Sequence, residues 1–129
     1  MRRSVAGVLI HLGKVFVAQR GASGSFHGRW EFPGGKVEDG ESDEEALERE
    51  FQEEFGIEVR PLKPIGECVF PHRGEDRVLA AWLIELAPFT KPTLLEHEAV
   101  AWVAAEDLRA LDMVDSDRQL LSAIIPLMG

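Results

Sequence analysis

Glu50, Glu53 and Glu54 have the spacing that brings three carboxylates to one face of a helix, since residues three and four apart are neighbours there. Ala46, one turn earlier, leaves space beside them. Like charges so close raise one another's pKa unless a cation bridges them or water solvates them. A hard divalent ion such as magnesium prefers carboxylate oxygens and customarily links one or two of them to substrate phosphates. A solvated, glutamate-rich helix face would show the same spacing. Two neighbours favour the chemical reading: Gly34-Gly35 offers approachable backbone carbonyls, and Arg49 can hold an adjacent carboxylate in place. Phosphate chemistry is therefore the expectation.

These residues need a helix beneath them. Ser42, followed three residues later by Glu45, is a capping-box pattern that starts a helix, and Gly56 stops it. Leu47, Phe51 and Phe55 form its apolar stripe, so the helix is predicted to reach about Phe55 with that stripe against a core. Upstream, Val5 to Ile10 and Val15 to Gln19 read as a hairpin turning at His11-Leu12-Gly13-Lys14. Gly21 to Arg29 reads as a surface loop, Trp30-Glu31-Phe32 as a short segment, and Pro33-Gly34-Gly35 as a tight turn. Downstream, strands are predicted at Ile57 to Leu62, Ile65 to Phe70, Arg77 to Glu85 and Ala99 to Val103, with Pro61 and Pro64 as breaks. Helical periodicity covers Ala105 to Leu111 and Ser116 to Leu127, with Pro126 ending or kinking the last. The sum is an α/β fold: a mixed sheet flanked by helices.

The 129 residues fit one domain, 1–129, without repeats or a linker. A net charge of -9 argues against a nucleic-acid polymer as partner, because such binding draws on Lys and Arg neutralising phosphates. Small phosphates remain possible partners when cations stand between them and the carboxylates. Cys68 is the single cysteine, so no intramolecular disulfide forms; a buried structural thiol is expected. Met1 to Ile10 resembles a signal peptide but is too short and runs into His11 and Lys14, and no apolar run approaches a membrane span. A cytoplasmic protein, monomeric or homodimeric and without membrane partners, is the expectation.

The stretch Gly35, five residues, Glu41, seven residues, then Arg49-Glu50-Phe51-Gln52-Glu53-Glu54-Phe55-Gly56-Ile57 resembles the Nudix hydrolase signature at every defining position. Trp30 to Glu38 resembles the MutT-like branch, which includes 8-oxo-dGTP diphosphatases and CTP pyrophosphohydrolases. The resemblance implies a Nudix fold, an α/β/α sandwich around a mixed β-sheet, and hydrolysis of a nucleoside triphosphate to monophosphate and pyrophosphate. It also implies magnesium, with manganese able to substitute, held by Glu53 and Glu54 with the carbonyl of Gly34. Glu50 is implied as ligand or as the base that activates water, oriented by Arg49, and either Glu50 or Glu53 as general base. Glu41 has a structural or outer role as readily as direct ligation.

Outside the signature, Arg20 stands where relatives place a phosphate-contacting cation, or is an ordinary surface arginine. Glu96 resembles an additional metal-ligating glutamate, with Glu98 as competitor and His97 between them as a solvent-facing histidine. Phe32 and Phe70 line a base pocket or belong to the core. Asp117 occupies the position where oxidised-guanine enzymes carry an asparagine that reads the base; ionised aspartate only accepts, which suits an amino group such as cytosine N4. Its other reading is a helix first turn, where a carboxylate is favoured by the dipole. The predicted substrate is CTP or modified dCTP, with 8-oxo-dGTP as the alternative. A non-catalytic nucleotide-binding domain is a second class, although such domains typically lose carboxylates that this chain retains. A calcium-binding acidic protein fails for want of alternating oxygen ligands.

Overall fold

The computed structural model describes residues 2–21, 28–90 and 99–129. Strands β1 (Arg2–His11), β2 (Lys14–Gln19), β3 (Trp30–Glu31) and β4 (Gly34–Lys36) precede helix α1 (Asp43–Phe55). They are followed by β5 (Val59–His72), β6 (Glu75–Leu86) and β7 (Ala99–Ala104), and then by short helices α2 (Ala105–Ala110), α3 (Asp115–Arg118) and α4 (Leu121–Ile124) with a 3-10 turn, Ile125–Met128. The sheet runs β3-β2-β1-β6-β5, with β4 also beside β1 and β7 beside β2. Among the strand pairs of the described residues only β1 and β6 run parallel, so the sheet is mixed as expected.

Alternation along β1 divides the core. Val5 and Leu9 face α1, packing with Leu47, Phe51 and Phe55, whereas Ala6 and Val8 face Leu108, Leu121 and Ile124 of the C-terminal helices. Helices thus cover both faces, giving the expected α/β/α sandwich. Helix α1 forms as its local signals require: Ser42 and Glu45 make a reciprocal capping box, and Gly56 closes the helix in the left-handed conformation. Leu47, Phe51 and Phe55 are each fully buried. At roughly 1.5–3 kcal/mol per large apolar side chain, their burial outweighs the repulsion among carboxylates on the opposite face.

Three predicted boundaries are corrected. Pro33-Gly34-Gly35 does not simply turn: Gly34 and Gly35 enter β4 and pair with Ala6 and Val5. The two strands expected across Ile57 to Phe70 are one, β5, with register shifts at Pro61/Lys63 and Pro64/Gly66. The strand lies at the sheet edge, where prolines lose no ladder bond that a neighbour needs. The helix predicted over Ser116 to Leu127 is broken into α3, α4 and the 3-10 turn. The break falls at Leu120, whose φ of -91° and ψ of -6° depart from α-helical values, and Leu120, Leu121 and Ile124 still reach the core. Pro126, lacking an N–H, leaves the tail in 3-10 form. Cys68 is half-buried, not buried, and its thiol donates to the Ser116 carbonyl at 3.4 Å. No helix among the described residues is long and apolar enough to cross a membrane.

Candidate active site

Helix α1 displays Arg49, Glu50, Glu53 and Glu54 beside β4. The Arg49 guanidinium is the organising charge. Its Nε and Nη2 grip both Glu41 oxygens at 2.8 and 2.9 Å, while Nη1 donates to Glu50 at 2.9 Å and to Glu53 at 3.2 Å. Nη2 also donates to the Lys36 carbonyl, which ties the helix to the end of β4. This fork holds Glu41 ionised, with its pKa lowered to about 2, and Glu41 accepts the Glu38 N–H as well. The oxygens of Glu41 are thus already engaged, which favours its structural reading.

The three other glutamates differ in exposure. The Glu53 side chain is 56% exposed, that of Glu50 is 15% exposed, and Glu54 is 6% exposed. Burial raises the pKa of Glu50 against the pull of Arg49; a hydrogen bond with Glu54 lowers it and the Glu53 charge raises it again. Two carboxyl groups in hydrogen-bond contact must share a proton or a cation, because two ionised groups there would repel. Gly35 roofs the pair: a Cβ at that position would stand 2.4 Å from the Glu50 carboxyl carbon. Gly34 serves a different end, since its Cβ would lie 1.9 Å from the Val5 carbonyl oxygen and break the β1–β4 pairing.

Gly34 and Gly35 also line a cleft of about 420 Å³. That cleft gathers the four predicted substrate residues, Arg20, Phe32, Phe70 and Asp117. Arg20 pairs with Glu31 at 3.3 Å. Phe32 is both wall and core, being 3% exposed, and Phe70 is half-buried against the same core. Asp117 is buried at the cleft wall, accepting from the Phe32 N–H at 2.8 Å and from the Ser116 hydroxyl at 3.2 Å. Burial, and then the Glu31 charge, push its pKa up to about 7. Burial thus favours the protonated form of Asp117, beside the ionised, accept-only form expected from the sequence. Glu96, with Glu98 and His97, lies outside the described residues.

Sequence reasoning did not single out Glu31, Lys36, His72, Arg73 or Arg77, all of which line this cleft. No local pattern marked them, since Gly74, Glu75 and Asp76 separate Arg73 from Arg77 and Lys36 lies far upstream.

Asp117 gives a test of this geometry. A carboxyl whose folded pKa is raised binds its proton more tightly in the native state, so stability falls as pH climbs from about 4 to 7. Relative to Asp117→Asn, the wild type should lose about 2–3 kcal/mol of unfolding free energy between pH 5 and pH 8. Urea denaturation at both pH values measures the gap, and a constant gap would contradict the burial.

A mixed sheet between two helical layers, with a carboxylate-bearing helix face under a glycine pair and an adjoining cleft, defines a Nudix-fold hydrolase. The chain belongs to the NUDIX domain family, which matches residues 1–124. It is 39% identical over 120–129 residues to curated relatives, among them CTP pyrophosphohydrolase of Escherichia coli (strain K12), covering 95% of this chain and 90% of that protein. An 8-oxo-dGTP diphosphatase of the same organism is 28% identical over 111 residues, covering 86% and 85%. The solution structure of the E. coli ORF135 protein superposes with a TM-score of 0.83 at 34% identity, over 100% of this chain and 91% of that one. The chain is thus an enzyme, a hydrolase of nucleotide phosphoanhydride bonds, and its family in general needs a divalent metal cation.

The residues present fit such a cation. Glu50, Glu53 and Glu54 are hard oxygen donors on one helix, and the Gly35 roof leaves room that a Cβ would fill. Among the described residues no trio of acidic or imidazole groups already closes around an ion-sized space. Arg49 explains the open arrangement, since it draws Glu50 and Glu53 to itself.

Proposed function

We propose that the protein is a magnesium-dependent nucleoside triphosphate pyrophosphohydrolase, releasing the monophosphate and pyrophosphate, and that cytosine nucleotides, CTP or modified dCTP, are its substrates. One observation carries this reading: the carboxylate face of α1 lies directly behind Gly35, and Gly35 lines the same cleft as Phe32, Phe70 and Asp117. A site for cations and a site for a base are thereby joined through a glycine.

Glu53, Glu54 and the Gly34 carbonyl are assigned as metal ligands, with Glu50 as ligand or as the base that takes the proton from water. When bound, the divalent ion lowers the pKa of the attacking water and offsets charge on the phosphates. Arg49 fixes the Glu50 carboxylate and carries no proton in the reaction. Burial of Glu50 raises its affinity for a proton, as a general base near neutral pH requires. Arg20 faces the cleft for a phosphate contact, with Glu31 holding its guanidinium. Phe32 and Phe70 offer apolar surface to the base.

The pKa of Asp117 favours a second reading beside the first. Its ionised form accepts from an exocyclic amino group such as cytosine N4, whereas its protonated form can also donate to a carbonyl such as the O6 of 8-oxo-dGTP. Relatives bearing both names fit this duality. A pyrophosphate-release screen over canonical, methylated and oxidised nucleoside triphosphates, with magnesium and then with chelator, tests both readings. The expected result is magnesium-dependent release. The ratio of kcat/KM for cytosine nucleotides over 8-oxo-dGTP should rise as pH passes upward through about 7. Preference for 8-oxo-dGTP at every pH would reverse the substrate order, and release that survives chelation would sink the mechanism.

A further inference from the structure

We infer that the β5–β6 hairpin, through His72, Arg73 and Arg77, joins Lys36 of β4 in a cationic clamp for the pyrophosphate half of the substrate. The inference deepens the proposed function and rests on that reading for its substrate class.

Arg77 is 5% exposed yet lines the cleft. Its Nε and Nη2 are fixed on neutral acceptors, the Ser4 hydroxyl at 3.2 Å and the Arg3 carbonyl at 2.8 Å. Among the described residues no carboxylate comes within ion-pair distance of it. A nearly buried, unneutralised guanidinium is costly unless an anion meets it. Lys36 and Arg73 line the same cleft, and among the described residues neither has an ion-pair partner.

His72 shows that these charges converge. Burial, followed by the positive charges of Lys36, Arg73 and Arg77, holds its imidazole below its usual pKa. Its Nε2 is shielded from solvent and finds no hydrogen-bond partner among the described residues. A neutral imidazole with Nε2 protonated can donate to a phosphate oxygen at that point. Four donors, from three strands and the turn between two of them, therefore line one cleft in a chain whose net charge is -9.

The location suits the far end of a triphosphate. Lys36 and Arg77 also border a second depression, of about 830 Å³, whose lining includes Glu38, Asp39, Glu75 and Asp76. Arg2 and Arg3 line that depression too, so its charges balance, whereas the clamp's cations in the first cleft are not matched by ion pairs of their own among the described residues. Ser116 and Asp117 lie only on the first cleft, away from that shared border. A nucleotide would thus run from Asp117 at the base, past Gly34 and Gly35, to the cations.

Inorganic pyrophosphate is the probe. Titrating it into the full-length wild type and into Arg73→Ala and Arg73→Lys, with magnesium present, reads the clamp without hydrolysis. Loss of a charge-assisted contact should weaken Kd by about tenfold in Arg73→Ala. The lysine variant should recover most of that loss, and added salt should weaken the wild type. Inhibition of hydrolysis by pyrophosphate should relax in parallel, with the loss in Arg73→Ala falling more on KM than on kcat. Melting temperature should stay near that of the wild type, since Arg73 has no hydrogen-bond or ion-pair partner among the described residues. Equal pyrophosphate affinity in wild type and Arg73→Ala, or no binding to the wild type, would overturn the clamp. Binding that depends on Arg73 in a protein that hydrolyses no nucleoside triphosphate would instead overturn the proposed function and leave the clamp standing.

Discussion

Glu53→Gln should lower kcat by about a thousandfold while the protein melts within a few degrees of the wild type. Glu53 is more than half exposed, so its replacement disturbs no core packing. What it loses in the fold is the hydrogen bond from Arg49 at 3.2 Å, an exposed helical pair contributing about 0.3–0.5 kcal/mol. Relief from the neighbouring Glu50 charge offsets part of that loss. The amide keeps the shape of the side chain but not the charge that a divalent ion needs. Glu44→Gln, on the same helix but away from the cleft, controls for the general loss of a charge. Steady-state kinetics beside a thermal melt decide the matter; near-normal kcat in Glu53→Gln would remove this residue from the chemistry.

Adjacent glycines should fail in opposite ways. In Gly35→Ala the new Cβ meets the Glu50 carboxylate, a side-chain end that can swing away. The fold should survive while activity falls by about a hundredfold, the scale of loss when a reacting group is misplaced by about 1 Å. In Gly34→Ala the Cβ meets the Val5 carbonyl, part of a backbone paired on both sides. That obstacle cannot rotate, so β4 must separate from β1 and stability should drop by several kcal/mol, at or beyond the upper end of ordinary point substitutions. Circular dichroism melts and kinetics on the two variants separate these outcomes. Equal loss of stability in both would show that Gly35 is needed by the fold and not by the site.

The contrast between those glycines marks what could be read from sequence. Helix α1 was legible from Ser42 to Gly56 because its cap, stripe and stop lie within fifteen residues of one another, and the carboxylate face follows from helical geometry. The family resemblance rested on the same local stretch. β4 was not legible, because Gly34-Gly35 becomes a strand only through pairing with Val5 and Ala6, almost thirty residues away. Prolines that read as breaks in β5 are tolerated because the strand has a free edge, which local sequence does not announce.

The substrate end of the site divides in the same way. Asp117 could be picked out by position, but its protonation depends on burial against Phe32 and on the charge of Glu31, contacts that span 85 residues or more. The convergence of Lys36 with the His72 to Arg77 hairpin is likewise a product of the fold: β4 lies on one side of β1 and β6 on the other. No motif could carry that signal.

Central to all of this is a divalent cation gathered by the α1 carboxylates beneath Gly35. Titration of Mn2+ followed by electron paramagnetic resonance, in the wild type and in a Glu53→Gln/Glu54→Gln double variant, addresses it most directly. The wild type should remove free Mn2+ from solution with a saturable isotherm, competed by Mg2+, and the double variant should bind at least tenfold more weakly. An identical isotherm for the two proteins, or no uptake by the wild type even with a nucleotide present, would contradict it.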